Sequence, residues 1–281
     1  MKETVTTMQF VHNIIGAGVD FLLQALHAVP PLWPLCLFAI LTGVFMLFVF
    51  RYTSNQPGIK RAKDRIKAHL LELRLFKDDL RVIFSAQKHI LRYNAIYIGH
   101  AVKPMLVMIV PVALLLIQLD SWFWHRPLQP GETAMVTAQV RPPARNLLDQ
   151  AALKADPGLV VETLPLRMPD TGEVAWRIRA QEPGVYRLPV DIGGHRVSKS
   201  VVVADTLVRL SPRRAGTRFW DLVFNPGEQP LPEDAVVASI EVQYPTRSIA
   251  LFGWELHWLV VFFVLSMVSG FALKGVLRVE I

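Results

Sequence analysis

The chain has 281 residues, of which 52% are hydrophobic and only 19% charged, with a mean hydropathy of +0.34 and a net charge of +7. That balance excludes an ordinary soluble globule, and a single cysteine, Cys36, excludes a disulfide framework within the chain.

Residues 1–31 read as an extracytoplasmic N-terminal segment. Within it, FVHNIIGAGVDFLLQALHAV, from Phe10 to Val29, is amphipathic and interrupted by Asp20, as in an interfacial or lumen-facing helix. MKETVTTMQF, residues 1–10, lacks the compact basic region and small-residue cleavage site of a secretory signal peptide, which is therefore not expected. Leu32 to Phe50 then carries no charge, and two further apolar windows run from Pro104 to Leu119 and from Leu256 to Leu273. Each is close to the roughly 20 residues a helix needs to cross hydrocarbon. Three such runs exceed what a chain of this length can bury, so membrane helices are predicted over 32–50, 101–120 and 256–274.

Between the first two windows lies a basic segment, 51–100. From Arg51 to Lys103 the chain carries twelve Lys or Arg against Asp64, Glu72, Asp78 and Asp79. The positive-inside rule puts this segment in the cytoplasm, and hence the N-terminus outside and the 275–281 tail inside. Asn55-Gln56-Pro57-Gly58 supplies a break, and the spacing of Ile59, Ala62, Ile66, Leu70 and Leu73 predicts an amphipathic helix. With a turn at Lys77 to Asp79, the segment reads as a helical hairpin. Pro104 and Pro111 permit a bend in the second membrane helix.

Residues 121–255 change character. Short β-rich runs such as EVAWRIRA and GVYRLPVDIGG, separated by Pro, Gly and Asp, predict an extracytoplasmic all-β domain of sandwich type, with Gly193-Gly194 as a hairpin turn. The predicted fold class is thus an α-helical integral membrane protein with three transmembrane helices, a cytoplasmic helical hairpin and an outer β-domain.

Motifs for covalent chemistry are lacking. The eight histidines are scattered, no HExxH, CxxC, GxSxG, Walker or dinucleotide pattern occurs, and neither a metal, a cofactor nor an enzymatic role is expected. Trp122, Phe123, Trp124, Trp254 and Trp258 cluster as an aromatic belt anchoring the outer interface, with His125 and His257 among them. The intramembrane polar residues Thr42, Gln118, Ser266 and Ser269 either line a mildly hydrophilic groove or bond to neighbouring helices; no charge pair suited to a transporter accompanies them. The basic face has four readings: a solvated surface, a patch for anionic lipid, a site for a cytoplasmic partner, or a contact for ribosomal phosphates.

The layout resembles the Oxa1 superfamily of membrane protein insertases, and most of all its three-helix members. The likeness is carried by Arg51 to Lys67, leaving the first membrane helix for the hairpin, and by Lys103 to Leu119, entering the second. It covers about half of the chain and rests on arrangement more than on any residue set. Family members keep a positive residue in their groove, for which Arg51 and Lys103 are the nearest counterparts. They also join their last two membrane helices by a short connection, where this chain inserts Ser121 to Glu255.

The resemblance implies that client or nascent membrane proteins slide along a shallow cavity from the cytoplasm into a bacterial inner membrane. Thr42, Gln118, Ser266 and Ser269 would line the groove beside Arg51 and Lys103. Lys60, Arg61, Lys63, Arg65, Lys67 and Arg74 would receive the client or the ribosome. A role from another class is a scaffold subunit whose β-domain docks a membrane or periplasmic partner.

Overall fold

The computed structural model describes residues 16–26, 29–251, 253–277 and 279. The rest of the 10–29 stretch, with His12 and His27, and much of the C-terminal tail lie outside the described residues. Two compact units emerge. The first gathers the described residues up to Pro34 with Leu114–Trp258, and the second joins Leu35–Ala113 to residues from Leu259 onward.

Six α-helices occur in chain order among the described residues: 16–25 (α1), Leu32–Thr53 (α2), Gln56–Leu75 (α3), Leu80–Phe123 (α4), Phe219–Phe224 (α5) and Trp258–Leu273 (α6). By length and composition α2 and α4 suffice to cross a membrane, whereas α6 is a shorter apolar helix of 16 residues.

In the second unit, local chemistry sets the helix ends. Asn55 caps α3 by accepting from the Gly58 amide at 3.1 Å, and Pro57 occupies the first turn, where its missing N–H costs nothing. Asp79 does the same for α4, accepting from the Arg81 amide at 2.9 Å. The turn between them falls at residues 76–79. Beyond it the chain reverses: the rings of His69 and His89 stack with centroids 4.9 Å apart, and Lys63 lies over the Tyr97 ring at 5.9 Å. Ile59 and Ala62 of α3 are buried.

α4 differs from expectation in its continuity. The second arm of the basic segment and the second apolar window are one helix of 44 residues, about 66 Å at 1.5 Å per residue. Gly99 and Pro104 lie within it without turn-forming neighbours, so nothing stops the helix between residues 80 and 123.

Among its described residues the first unit holds eleven strands. β1 (Thr133–Val140), β3 (Leu159–Val161), β4 (Leu166–Met168), β5 (Glu173–Ala180), β8 (Arg213–Ala215) and β9 (Val237–Val242) form a six-stranded antiparallel sheet in the order β3-β5-β1-β9-β8, with β4 also on β5. β2 (Ala151–Leu153), β6 (Gly184–Ile192) and β7 (His195–Val203) form a three-stranded sheet, and β10 (Ser248–Leu251) pairs with β11 (Trp254–His257).

The alternation in β1 buries Ala134, Val136, Ala138 and Val140 on one face. These join Trp176 and Ile178 of β5 and Leu188, Val190, Val201 and Val203 of the second sheet in a single hydrophobic core. In register, Ile192 faces His195 across Gly193 and Gly194, whose φ values of 59° and 84° are those a two-residue hairpin turn requires. The domain is open rather than a closed barrel.

Candidate functional site: an apolar cavity in the helical unit

A cavity of about 510 Å³ lies within the second unit. Gly43, Met46, Leu47 and Phe50 of α2 form one wall, Ala101, Met105 and Met108 of α4 a second, and residues of α6 between Phe263 and Phe271 a third. Thirteen residues line it, and Ser266 alone has a hydroxyl. Four of the chain's eight methionines, Met46, Met105, Met108 and Met267, stand in the walls. Methionine is unbranched and polarizable, so such walls repack around apolar groups of different shape.

The walls form because helical spacing stacks these residues. Ala101, Met105 and Met108 are four and three apart, as are Gly43, Leu47 and Phe50, so each set projects from one face. On the α6 side, Gly43 permits a very close approach: a Cβ there would collide with Ser269 Oγ and fall 2.6 Å from the Ser266 carbonyl. Small residues are what let apolar helices meet at such distances.

The expected groove residues divide. Ser266 lines the cavity, but its hydroxyl donates to the Phe263 carbonyl at 3.0 Å, as Ser269 does to the Ser266 carbonyl at 2.9 Å. Thr42 is buried and donates to the Phe38 carbonyl at 2.7 Å. All three hydroxyls are thus satisfied by their own helices. Arg51 donates to the Leu277 carbonyl at 3.2 Å, just past the end of α6. Lys103 is exposed and sits about 200° around α4 from Ala101. Gln118 belongs to the first unit.

The basic residues form an open surface on α3. Lys60, Arg61, Arg65, Lys67 and Arg74 are all exposed, and Lys63 is half-buried. Beside them the turn exposes large apolar side chains, with Leu71, Leu75, Phe76, Leu80 and Phe84 between 53% and 73% accessible.

In the first unit, Asp20 of α1 serves two partners. It accepts from Arg209 Nη1 at 2.5 Å and from the Trp122 indole at 3.0 Å, while Arg209 Nη2 donates to Gln118 at 3.0 Å. The anchors differ accordingly. Trp122 and Trp258 are buried, the latter stacked on Phe123 with centroids 6.2 Å apart, whereas Trp124 and Trp254 are exposed. Trp124 meets the His257 ring edge-on at 4.8 Å.

One buried charge and one half-buried ion pair lie in the β-domain. Lys199 is 1% exposed and donates to Glu228 at 2.7 Å and to the Ser211 carbonyl at 2.5 Å. Burial lowers its pKa, and the Glu228 carboxylate opposes the shift. Glu132 accepts two bonds from the Arg126 guanidinium at 2.8 Å, which hold its carboxyl below the ordinary value. Burial pushes the Tyr244 hydroxyl up.

Among the described residues, no three His, Cys, Asp or Glu side chains cluster as metal ligands would. The methionines are the site residues that sequence reasoning missed; the available signal was Met105 and Met108 at helical spacing within an apolar window. No family model, no curated protein and no solved structure matches the chain.

Proposed function

We propose that the protein is an insertase or chaperone of the Oxa1-superfamily kind, which receives apolar client segments and passes them into the bacterial inner membrane. The observation carrying this reading is the methionine-lined cavity among α2, α4 and α6. Flexible thioether walls accept many apolar sequences without demanding a shape, which a client-handling site needs and a dedicated ligand site does not.

In this reading α2, α4 and α6 are three transmembrane helices, α3 and the start of α4 are the cytoplasmic hairpin, and the two sheets form an outer sandwich. The charge count from Arg51 to Lys103 supports a cytoplasmic hairpin and an outer β-domain. Its basic face, with Leu71, Leu75 and Phe76 beside it, offers both contacts that a ribosome-borne apolar segment presents. No bond is made or broken; the free energy comes from burying the client's apolar surface, at about 25 cal/mol per Å².

The working step is transfer by exchange of partners. An apolar segment leaves water for the methionine walls, then leaves the walls for lipid, and neither step desolvates a fixed charge in the cavity. Arg51, next in sequence to the lining residue Phe50, acts at the cavity margin on the client's polar flank, whereas Lys103 faces away from it.

A scaffold role is the second reading, favoured by Leu164 and Leu166, at and just before the short strand β4, which are 88% and 60% exposed. Photoreactive residues at Met105 and Ser266 separate the two, with Thr42 as the buried control. Crosslinks to many nascent membrane proteins during translation support insertion. One recurrent full-length partner, with no nascent chains, establishes the scaffold instead.

A further inference from the structure

Residues 213–226 read RRAGTRFWDLVFNP, arginines followed by an aromatic helix. In α5 only Val223 is buried in the domain, whereas Phe219, Trp220 and Phe224 are 39%, 66% and 60% exposed. The three rings pack on one another at the surface. Phe219 and Trp220 meet edge-on at 5.1 Å, and Trp220 stacks on Phe224 at 5.8 Å. Each such side chain buries roughly 150–250 Å² when covered, so the triplet is the kind of patch that marks an interaction surface.

The tether of this helix identifies what covers it. Two residues past α5, the Pro226 carbonyl accepts from Arg209 Nη2 at 3.3 Å, and the same nitrogen donates to Gln118 Oε1 at 3.0 Å. Gln118 is fully buried near the C-terminal end of the apolar α4, which finishes at Phe123. α5 is therefore held at the level where α4 stops being apolar. Trp33 at the start of α2 and Trp254 just before α6, 66% and 72% exposed, mark the same end of the other two apolar helices. Exposed Arg218, the residue just before α5, adds a positive charge at its start.

We infer that α5 is an interfacial anchor, laying Phe219, Trp220 and Phe224 into the headgroup region of the outer leaflet, with the lipid surface as its partner. Aromatic rings favour that layer because one part meets hydrocarbon and the rest meets dipoles and water. The Arg218 guanidinium beside the rings suits the same layer, where lipid phosphates are. This inference rests on the reading that α2, α4 and α6 span the membrane with the β-domain outside. It adds a fourth contact with the bilayer.

The test uses the full chain with Cys36 replaced by alanine, reconstituted in phosphatidylglycerol–phosphatidylethanolamine vesicles. An environment-sensitive fluorophore is attached at W220C or, as the control, at F45C on the exposed face of α2. Nitroxide lipids labelled near the headgroup are expected to quench the 220 probe by about twofold or more, and lipids labelled at the chain end by less, as for an interfacial ring. Chain-end labels are expected to quench the 45 probe. A 220 probe that no lipid quenches, while the 45 probe is quenched, overturns the anchor and leaves the membrane reading standing. A 220 probe shielded from aqueous iodide in native membranes yet unquenched by lipid overturns it in favour of a protein partner. If neither probe is quenched, the spanning reading fails and the anchor falls with it.

Discussion

Lys199 and Leu106 sit in opposite surroundings. In the β-rich unit a lysine is 1% exposed, gripped by a carboxylate and carbonyls; in the helical unit Leu106, Val107, Ile109 and Val110 of α4 are 47–60% exposed. Water as the only solvent accounts for the first arrangement, in which a charge taken inside has its partners. It does not account for the second, which suits helices whose outer faces meet hydrocarbon. In the first unit a buried charge is tolerated only through its pairing, whereas in the second the helices rely on close fit between small and flexible residues.

The largest expected effect comes from breaking that pairing. Lys199→Met leaves Glu228 without its cation and should cost about 3–5 kcal/mol, whereas adding Glu228→Leu should recover most of it. Thermal unfolding of both variants measures the difference; equal losses would mean that Lys199 is not paired in this way. Across pH, the lowered pKa of Lys199 works in one direction. Stability is expected to rise as pH climbs from the folded value towards the ordinary 10.5, because there the unfolded chain holds the extra proton.

Next comes the fit of α2 on α6. Gly43→Val should destabilise the helical unit by about 1–3 kcal/mol. Ser269→Gly should rescue it only in part, since the Ser266 carbonyl remains 2.6 Å from the new Cβ. Full rescue in a detergent unfolding assay would place the strain elsewhere. Filling the cavity sharpens the contrast in function: Met267→Trp should leave the fold intact but reduce nascent-chain crosslinks at Met105 by about tenfold, the effect of about 1.4 kcal/mol of lost client binding.

The smallest effect lies at Glu132. Its folded pKa is depressed, so its pairing with Arg126 is fully felt above the ordinary carboxylate value and lost as pH falls through the folded one. The Arg126 and Glu132 side chains are 34% and 31% exposed, so only about 0.5–1 kcal/mol is involved. Glu132→Gln should flatten the acid limb of the stability curve by that amount.

How much of this was legible depended on range. The break at Asn55 to Gly58, the turn at Lys77 to Asp79 and the Gly193-Gly194 hairpin are written in neighbouring residues, and each appears where the sequence put it. Strand order is not local: β1 pairs with β9 about a hundred residues away, and Asp20 meets Arg209 across 189 residues. Trp122 and Trp258 illustrate a different limit, since a belt tryptophan and a core tryptophan have the same neighbours in sequence. For the cavity, hydroxyls are a misleading guide, because Thr42, Ser266 and Ser269 each bond back to their own helix. The lining is made instead by apolar residues that an apolar window renders inconspicuous.

The unbroken course of α4 makes it a mechanical lever. Lys88 and Arg92 near its start and Met105 and Met108 in the cavity wall are on one rod, with no loop between them to absorb a load. Its two prolines, Pro104 and Pro111, bracket the methionines and remove backbone hydrogen bonds there, so that is where the rod bends most cheaply. A load applied at the basic end would therefore bend α4 first beside the cavity wall.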